Sequence, residues 1–268
     1  AGTIGDLLKM QDVNAKVDLG AKSLAFLSDI VKTKLPPLGP LKATASIVSR
    51  GKNRDLVEIK GDLTSKIIHA DVAGSIGDPF KLKDVNAKVT LGVNSFAWLA
   101  DYIKVELPPL GSLTASANIA SKGDSFEIRD LKADLAGDKV HVKVAGSVGN
   151  MLKGRAINAD VDLDIESLAV LSTVAKMELP PLGPLKAAAN IVSKGETFEV
   201  KDLKMDLTDE NIQAKVAASV KDALKLAGIN ATINFAVNSL ASLDPLVKQE
   251  LPVSGPVTVE GEISSESF

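Results

Sequence analysis

Leu35-Pro-Pro-Leu-Gly-Pro40 returns as Leu107-Pro-Pro-Leu-Gly-Ser112, as Leu179-Pro-Pro-Leu-Gly-Pro184 and, in degenerate form, as Leu251-Pro-Val-Ser-Gly-Pro256, each copy 72 residues after the last. A fixed period of that length marks a repeat architecture. The register also holds away from the motif: Ser23-Leu-Ala-Phe-Leu27 recurs as Ser95-Phe-Ala-Trp-Leu99, Ser167-Leu-Ala-Val-Leu171 and Ser239-Leu-Ala-Ser-Leu243. Insertions have not accumulated, so the unit is structural. Its approximate copies are 1–72, 73–144, 145–216 and a partial 217–268. Together they read as one continuous array cut from a longer protein. Ala1-Gly-Thr-Ile-Gly5 aligns with Ala73-Gly-Ser-Ile-Gly77 and Ala145-Gly-Ser-Val-Gly149, which end strands in later copies, and no capping unit is visible at either end.

Within a copy the apolar periodicity changes in a fixed order. Val13-Asn-Ala-Lys-Val-Asp-Leu19 and its equivalents Val85–Leu91, Ile157–Leu163 and Ile229–Phe235 alternate strictly, which predicts a strand with one dry and one wet face. The Ser that follows is a good helix N-cap. Apolar residues at Leu24, Leu27, Ile30 and Val31, and at Phe96, Leu99 and Ile103, then predict an amphipathic helix of about ten residues that the Pro-Pro pair stops. After the proline turn, Leu41, Ala43, Ala45 and Ile47 alternate with polar positions, as do their equivalents from Leu113 and Leu185. A turn at Ser121–Ser125 or Ser193–Thr197 leads to a third strand. Its alternation slips at Arg129-Asp130 and at Lys201-Asp202, which predicts a β-bulge. A fourth strand carries Ile68, Ala70 and Val72, or Val140, Val142 and Val144, or Ile212, Ala214 and Val216. Short turns join about fourteen such strands, so the predicted fold is mainly β with short helices, an elongated, curled antiparallel sheet. The helices would lie along one side of it.

Composition narrows the function classes. Hydrophobic content is 45%, aromatic content only 3%, and the net charge is -3. That balance leaves no electrostatic footprint for nucleic acid. There is no cysteine, hence no disulfide framework, thiol nucleophile or cysteine metal site.

Catalytic and metal motifs fare no better. His69 and His141 are one repeat apart, about four strands or roughly 19 Å by strand spacing, too far to share an ion at ~2 Å bond lengths. They read as wet-face residues. Asp160, Asp162 and Asp164 occupy every second position of a strand and read as a solvated face. Gly-Ser-Ile-Gly and Gly-Ser-Val-Gly lack the Lys-Ser/Thr of a phosphate loop. The expectation is a protein that is not an enzyme and carries no metal or cofactor.

What remains is the continuous dry face, lined at mid-strand by small residues. The candidate lining is Ala15, Val17, Ala43, Ala45, Ala87, Val89, Ala115, Ala117, Val142, Val144, Ala159, Val161, Ala187, Ala189, Ala214 and Val216. Small side chains leave room for a long aliphatic chain, and near-identical repeats offer successive sites of equal affinity. A filled core under the helices would instead make the chain a structural β-repeat spacer or adhesin.

The combination of LPPLGPLKA, an aromatic followed by DLK, GSVG and SLA resembles the repeat of the AsmA-like proteins of Gram-negative bacteria, over essentially the whole chain. The resemblance implies a periplasmic β-groove anchored in the inner membrane. It also implies a role in carrying phospholipids between inner and outer membranes, with those lipids and membranes as partners, in support of outer-membrane biogenesis.

Overall fold

The computed structural model of the chain describes residues 2–6, 11–23, 25, 38–50, 53–79, 81–96, 110–122, 125–153, 155–172, 178–244 and 249–265. These residues form strands β1 (Gly2–Asp6), β2 (Gln11–Ala21), β3 (Leu41–Arg50), β4 (Asn53–Thr64), β5 (Ile68–Asp78), β6 (Lys83–Val93), β7 (Ser112–Lys122), β8 (Ser125–Ala136) and β9 (Val140–Asn150). They continue as β10 (Arg155–Ile165), β11 (Leu185–Lys194), β12 (Thr197–Thr208), β13 (Ile212–Asp222), β14 (Ala227–Val237) and β15 (Val257–Ser264). The expected count of about fourteen omitted β1, which pairs with β2 through Ile4 opposite Val13. Strand order in the single 15-stranded sheet follows sequence order. β2, β6, β10 and β14 start at residues 11, 83, 155 and 227, each 72 after the previous one.

The chain divides into two compact units. One comprises residues 1–95, 113–132 and 147–154, and the other residues 96–112, 133–146 and 155–268. In both, alternation produces the strands and turn chemistry sets their registers. β11 and β12 are joined by Gly195-Glu196, with Gly195 at φ +66, a conformation that costs glycine nothing.

The bulge lies where the alternation slips. Between β11 and β12 the pairing jumps from Ala188 opposite Lys204 to Asn190 opposite Lys201, and Asp202 takes φ 50. Asp130 has φ 51, and Glu58 has φ 53 within the β3–β4 irregularity. Placing the extra residue in the left-handed region keeps Leu203, Met205 and Leu207 in step with the apolar face beyond it.

A second left-handed position went unforeseen. Asp84 (φ 51), Ala156 (φ 55) and Gly228 (φ 65) stand near the start of β6, β10 and β14. In each case the next N–H turns to a serine 36 residues ahead. Val85 donates to Ser121 Oγ at 2.9 Å, Ile157 to Ser193 Oγ at 2.8 Å and Ile229 to Ser265 Oγ at 3.0 Å. Ser193 is buried, so its hydroxyl satisfies an amide that water barely reaches.

The expected N-caps are present. Ser167 Oγ accepts from Ala169 N and Ser239 Oγ from Ala241 N, each opening a 3-10 helix, Leu168–Leu171 and Leu240–Leu243. The rest of the expected helices, including Leu99 and Ile103, lies outside the described residues.

Burial is concentrated at one end of the strands. In the second unit the buried apolar residues are Val140, Ile165, Leu185, Ile212 and Val237, at the first residue of β9, β11 and β13 and the last of β10 and β14. Leu168, Val170 and Leu171 of the 3-10 turn pack against Val140, Ile165 and Leu185, together with Met205 and Leu207. In the first unit Leu63, Ile68 and Val93 are buried at the ends of β4, β5 and β6, and Leu38 of the proline motif is buried as well. Among the described residues of each unit, the apolar core therefore lies at one end of the strands.

Candidate functional site

Directly opposed residues of an antiparallel pair point to the same side of the sheet. In the first unit this places Ala15 beside Ile47, Val17 beside Ala45 and Ala43 beside both Leu19 and Gly61. Ala87 lies between Gly74 and Ile119, Val89 between Val72 and Ala117, and Ala115 beside Leu91. In the second unit Ala159 faces Ile191 and Val161 faces Ala189, while Ala187 lies between Leu163 and Met205. Ala214 lies between Leu207 and Phe235, and Val216 between Met205 and Ile233. Val142 joins the rim cluster, and Val144 stands two residues further along β9. Register thus gathers the candidate lining residues onto an apolar surface in each unit.

Exposure along a strand describes that surface. On β10 the apolar side runs from half-buried Ala159, Val161 and Leu163 to fully buried Ile165. None of the sixteen candidate residues is buried, and Val17 is 45% exposed, with Leu19 beside it at 48%. Bulk and burial coincide at the rim, while the small residues at mid-strand keep access to solvent. Alanine contributes to this, because its side chain reaches little across the face toward its larger neighbours.

The opposite face carries the charges. One row of the second unit runs Asp164, Lys186, Asp206, Lys215, Asn234, Glu260 across β10 to β15, and its first four members alternate in sign. Asp164–Lys186 and Asp206–Lys215 each approach to 3.7 Å. These pairs are exposed, so each is worth only a few tenths of a kcal/mol to about 1 kcal/mol and serves register more than stability. His69 and His141 lie here, as expected from their pattern, and His141 Nε2 stands 2.8 Å from Asp134 Oδ1.

The described cavities open mainly among these charged-face side chains. The one in the second unit measures about 630 Å³ and is lined chiefly by His141, Asp164, Lys186, Lys204, Asp206 and Lys215. A second, about 400 Å³, sits in the first unit around Lys42, Lys60, Asp62 and Asp71. Ala43, Ala187 and Val216 are the only candidate lining residues that touch either cavity. The other candidate lining residues touch neither of these two cavities, and they keep partial access to solvent.

Sequence reasoning missed two features. The serine clip was hidden because its partners are 36 residues apart, although Ser49, Ser121, Ser193 and Ser265 recur at the 72-residue period. The charged rows were hidden because they depend on register. Their signal was present at position 71, an Asp where the other copies have Lys143 and Lys215. No protein-family model, no curated protein and no solved structure matches this chain.

Proposed function

We propose that this chain is a non-catalytic lipid-binding segment that holds phospholipid acyl chains against its apolar face. As the AsmA-like resemblance implies, it would pass them between the inner and outer membranes. The observation that carries the reading is the burial gradient: the aliphatic side chains at the strand ends are buried, and the middle of the face, where alanines and valines stand among larger apolar residues, stays partly solvent-accessible. A surface of that kind gains free energy when covered and offers no polar group that would fix one lipid in place.

The magnitude is adequate. Full burial of a 16-carbon acyl chain is worth about 13 kcal/mol at ~0.8 kcal/mol per methylene, and a chain lying on an open face buries roughly half of its surface, for about 6 kcal/mol. Two chains per phospholipid roughly double that, before the cost of ordering them.

The test is native mass spectrometry of the protein purified gently from bacterial cells, with lipid extraction, alongside Ala117→Arg. Co-purifying phospholipids, reduced by the arginine in a variant that keeps the parent's circular dichroism, support the proposal. A lipid-free mass in a folded sample refutes it and favours the structural spacer. Equal lipid occupancy on both sides of the altered repeat refutes the idea that lipids move along the face.

A further inference from the structure

Position 71 breaks the charge pattern of the wet face. In the third copy the Asp on the third strand faces a Lys on the fourth, Asp206 opposite Lys215, and the second copy has Asp134 and Lys143 at the same two positions. In the first copy Asp62 of β4 lies directly opposite Asp71 of β5. Two carboxylates at that separation repel, and the Lys that relieves the pair elsewhere is missing. Lys42 stands across from Asp62 on its other side and faces only that one member.

An imidazole stands where these two carboxylates meet. His69 precedes Asp71 by two residues on the same face of β5, and its Nε2 is 2.8 Å from Asp71 Oδ2. Its Nδ1 lies 3.1 Å from Thr64 Oγ1 and 3.9 Å from Asp62 Oδ2. Thr64 Oγ1 also lies 3.0 Å from Asp62 Oδ2, so the threonine links the ring to that carboxylate. The imidazole thus sits between the two carboxylates, with one ring nitrogen toward each. Thr90 Oγ1 donates to Asp71 Oδ2 at 3.2 Å and steadies that ligand.

We propose that Asp62, His69 and Asp71 bind a divalent transition-metal ion of the zinc class. One ligand atom from each lies within 4.8 Å of the others. An ion bonded at about 2.0–2.2 Å to nitrogen and carboxylate oxygen requires only a modest closing of that triangle, with water completing the shell. One nitrogen and two anionic oxygens favour zinc-like ions over calcium, which takes six or more oxygens. All three side chains are about half exposed, so the ion has a direct route in.

The second copy is a built-in control, because His141 has Asp134 beside it but Lys143 where Asp71 would be.

The experiment is isothermal titration of the whole chain with zinc chloride at pH 7.5, in the parent, His69→Gln, His141→Gln and Asp71→Lys. The expected result is one ion per chain in the parent and in His141→Gln, and none in His69→Gln or Asp71→Lys. Asp71→Lys restores the charge order of the other copies, so it should fold at least as well as the parent. Absence of zinc binding by the folded parent overturns the proposal, as does binding that survives His69→Gln.

Discussion

An open apolar face and a closed core respond oppositely to an enlarged side chain, and β10 and β11 allow both responses to be measured on one strand pair. Ile165 and Leu185 form the rim rung and are 0% and 8% exposed; Val161 and Ala189 form a rung nearer the middle and are half-buried. Ile165→Ala removes three carbons, about 2.4 kcal/mol of transfer free energy at ~0.8 kcal/mol each, and the cavity left among Val140, Leu168 and Leu185 brings the total to about 2–5 kcal/mol. Ala189→Leu adds three carbons where the face is open, so stability should change by no more than about 0.5 kcal/mol. Beneath a filled core the same change would overpack and cost about 1–3 kcal/mol. Urea unfolding followed by far-ultraviolet circular dichroism separates the cases. With a slope of about 1–3 kcal/mol per molar, Ile165→Ala should lower the midpoint by about 1 M or more while Ala189→Leu leaves it nearly in place. If Ala189→Leu lowers the midpoint as far as Ile165→Ala does, the mid-strand face is covered and the reasoning fails.

Two further outcomes are expected. Ser193→Ala leaves the Ile157 amide without its acceptor at a buried site, and should cost about 1–3 kcal/mol and raise the hydrogen-exchange rate of that amide in particular; an unchanged rate would mean that another group satisfies it. Ala156→Gly puts at φ 55 the residue type that the fourth copy already uses at Gly228, and relief of the left-handed cost should stabilise the chain by about 0.5–1 kcal/mol in the same urea assay, where a loss of stability would argue against the strained conformation.

Much of the fold is legible in the chain itself because its causes are local. Alternation at Ile157–Leu163 specifies a strand and its two faces without reference to any neighbour, and the slip at Lys201-Asp202 locates a bulge for the same reason. Repetition of LPPLGP and SLA at one period orders the strands, since successive short turns leave sequential pairing as the simple path. Ser167 and Ser239 announce their caps because the capped amide is two residues away.

Other features depend on residues distant in sequence. Alternation assigns Val161 and Ile165 to one face but gives no sign that one is half open and the other closed, because burial is decided by the crossing segment that carries Leu168 and Leu171. The left-handed turn at Ala156 carries no glycine signal and is tolerated through Ser193, 36 residues on. The opposition of Asp62 and Asp71 exists only through the β4–β5 register, which a one-residue slip would abolish. The sequence by itself therefore determined the repeating unit, the strand faces and the bulge, all set by neighbours along the chain. Tertiary structure alone decided which part of the apolar face stays open and which charges meet across strands, because both depend on which segments pack together in space.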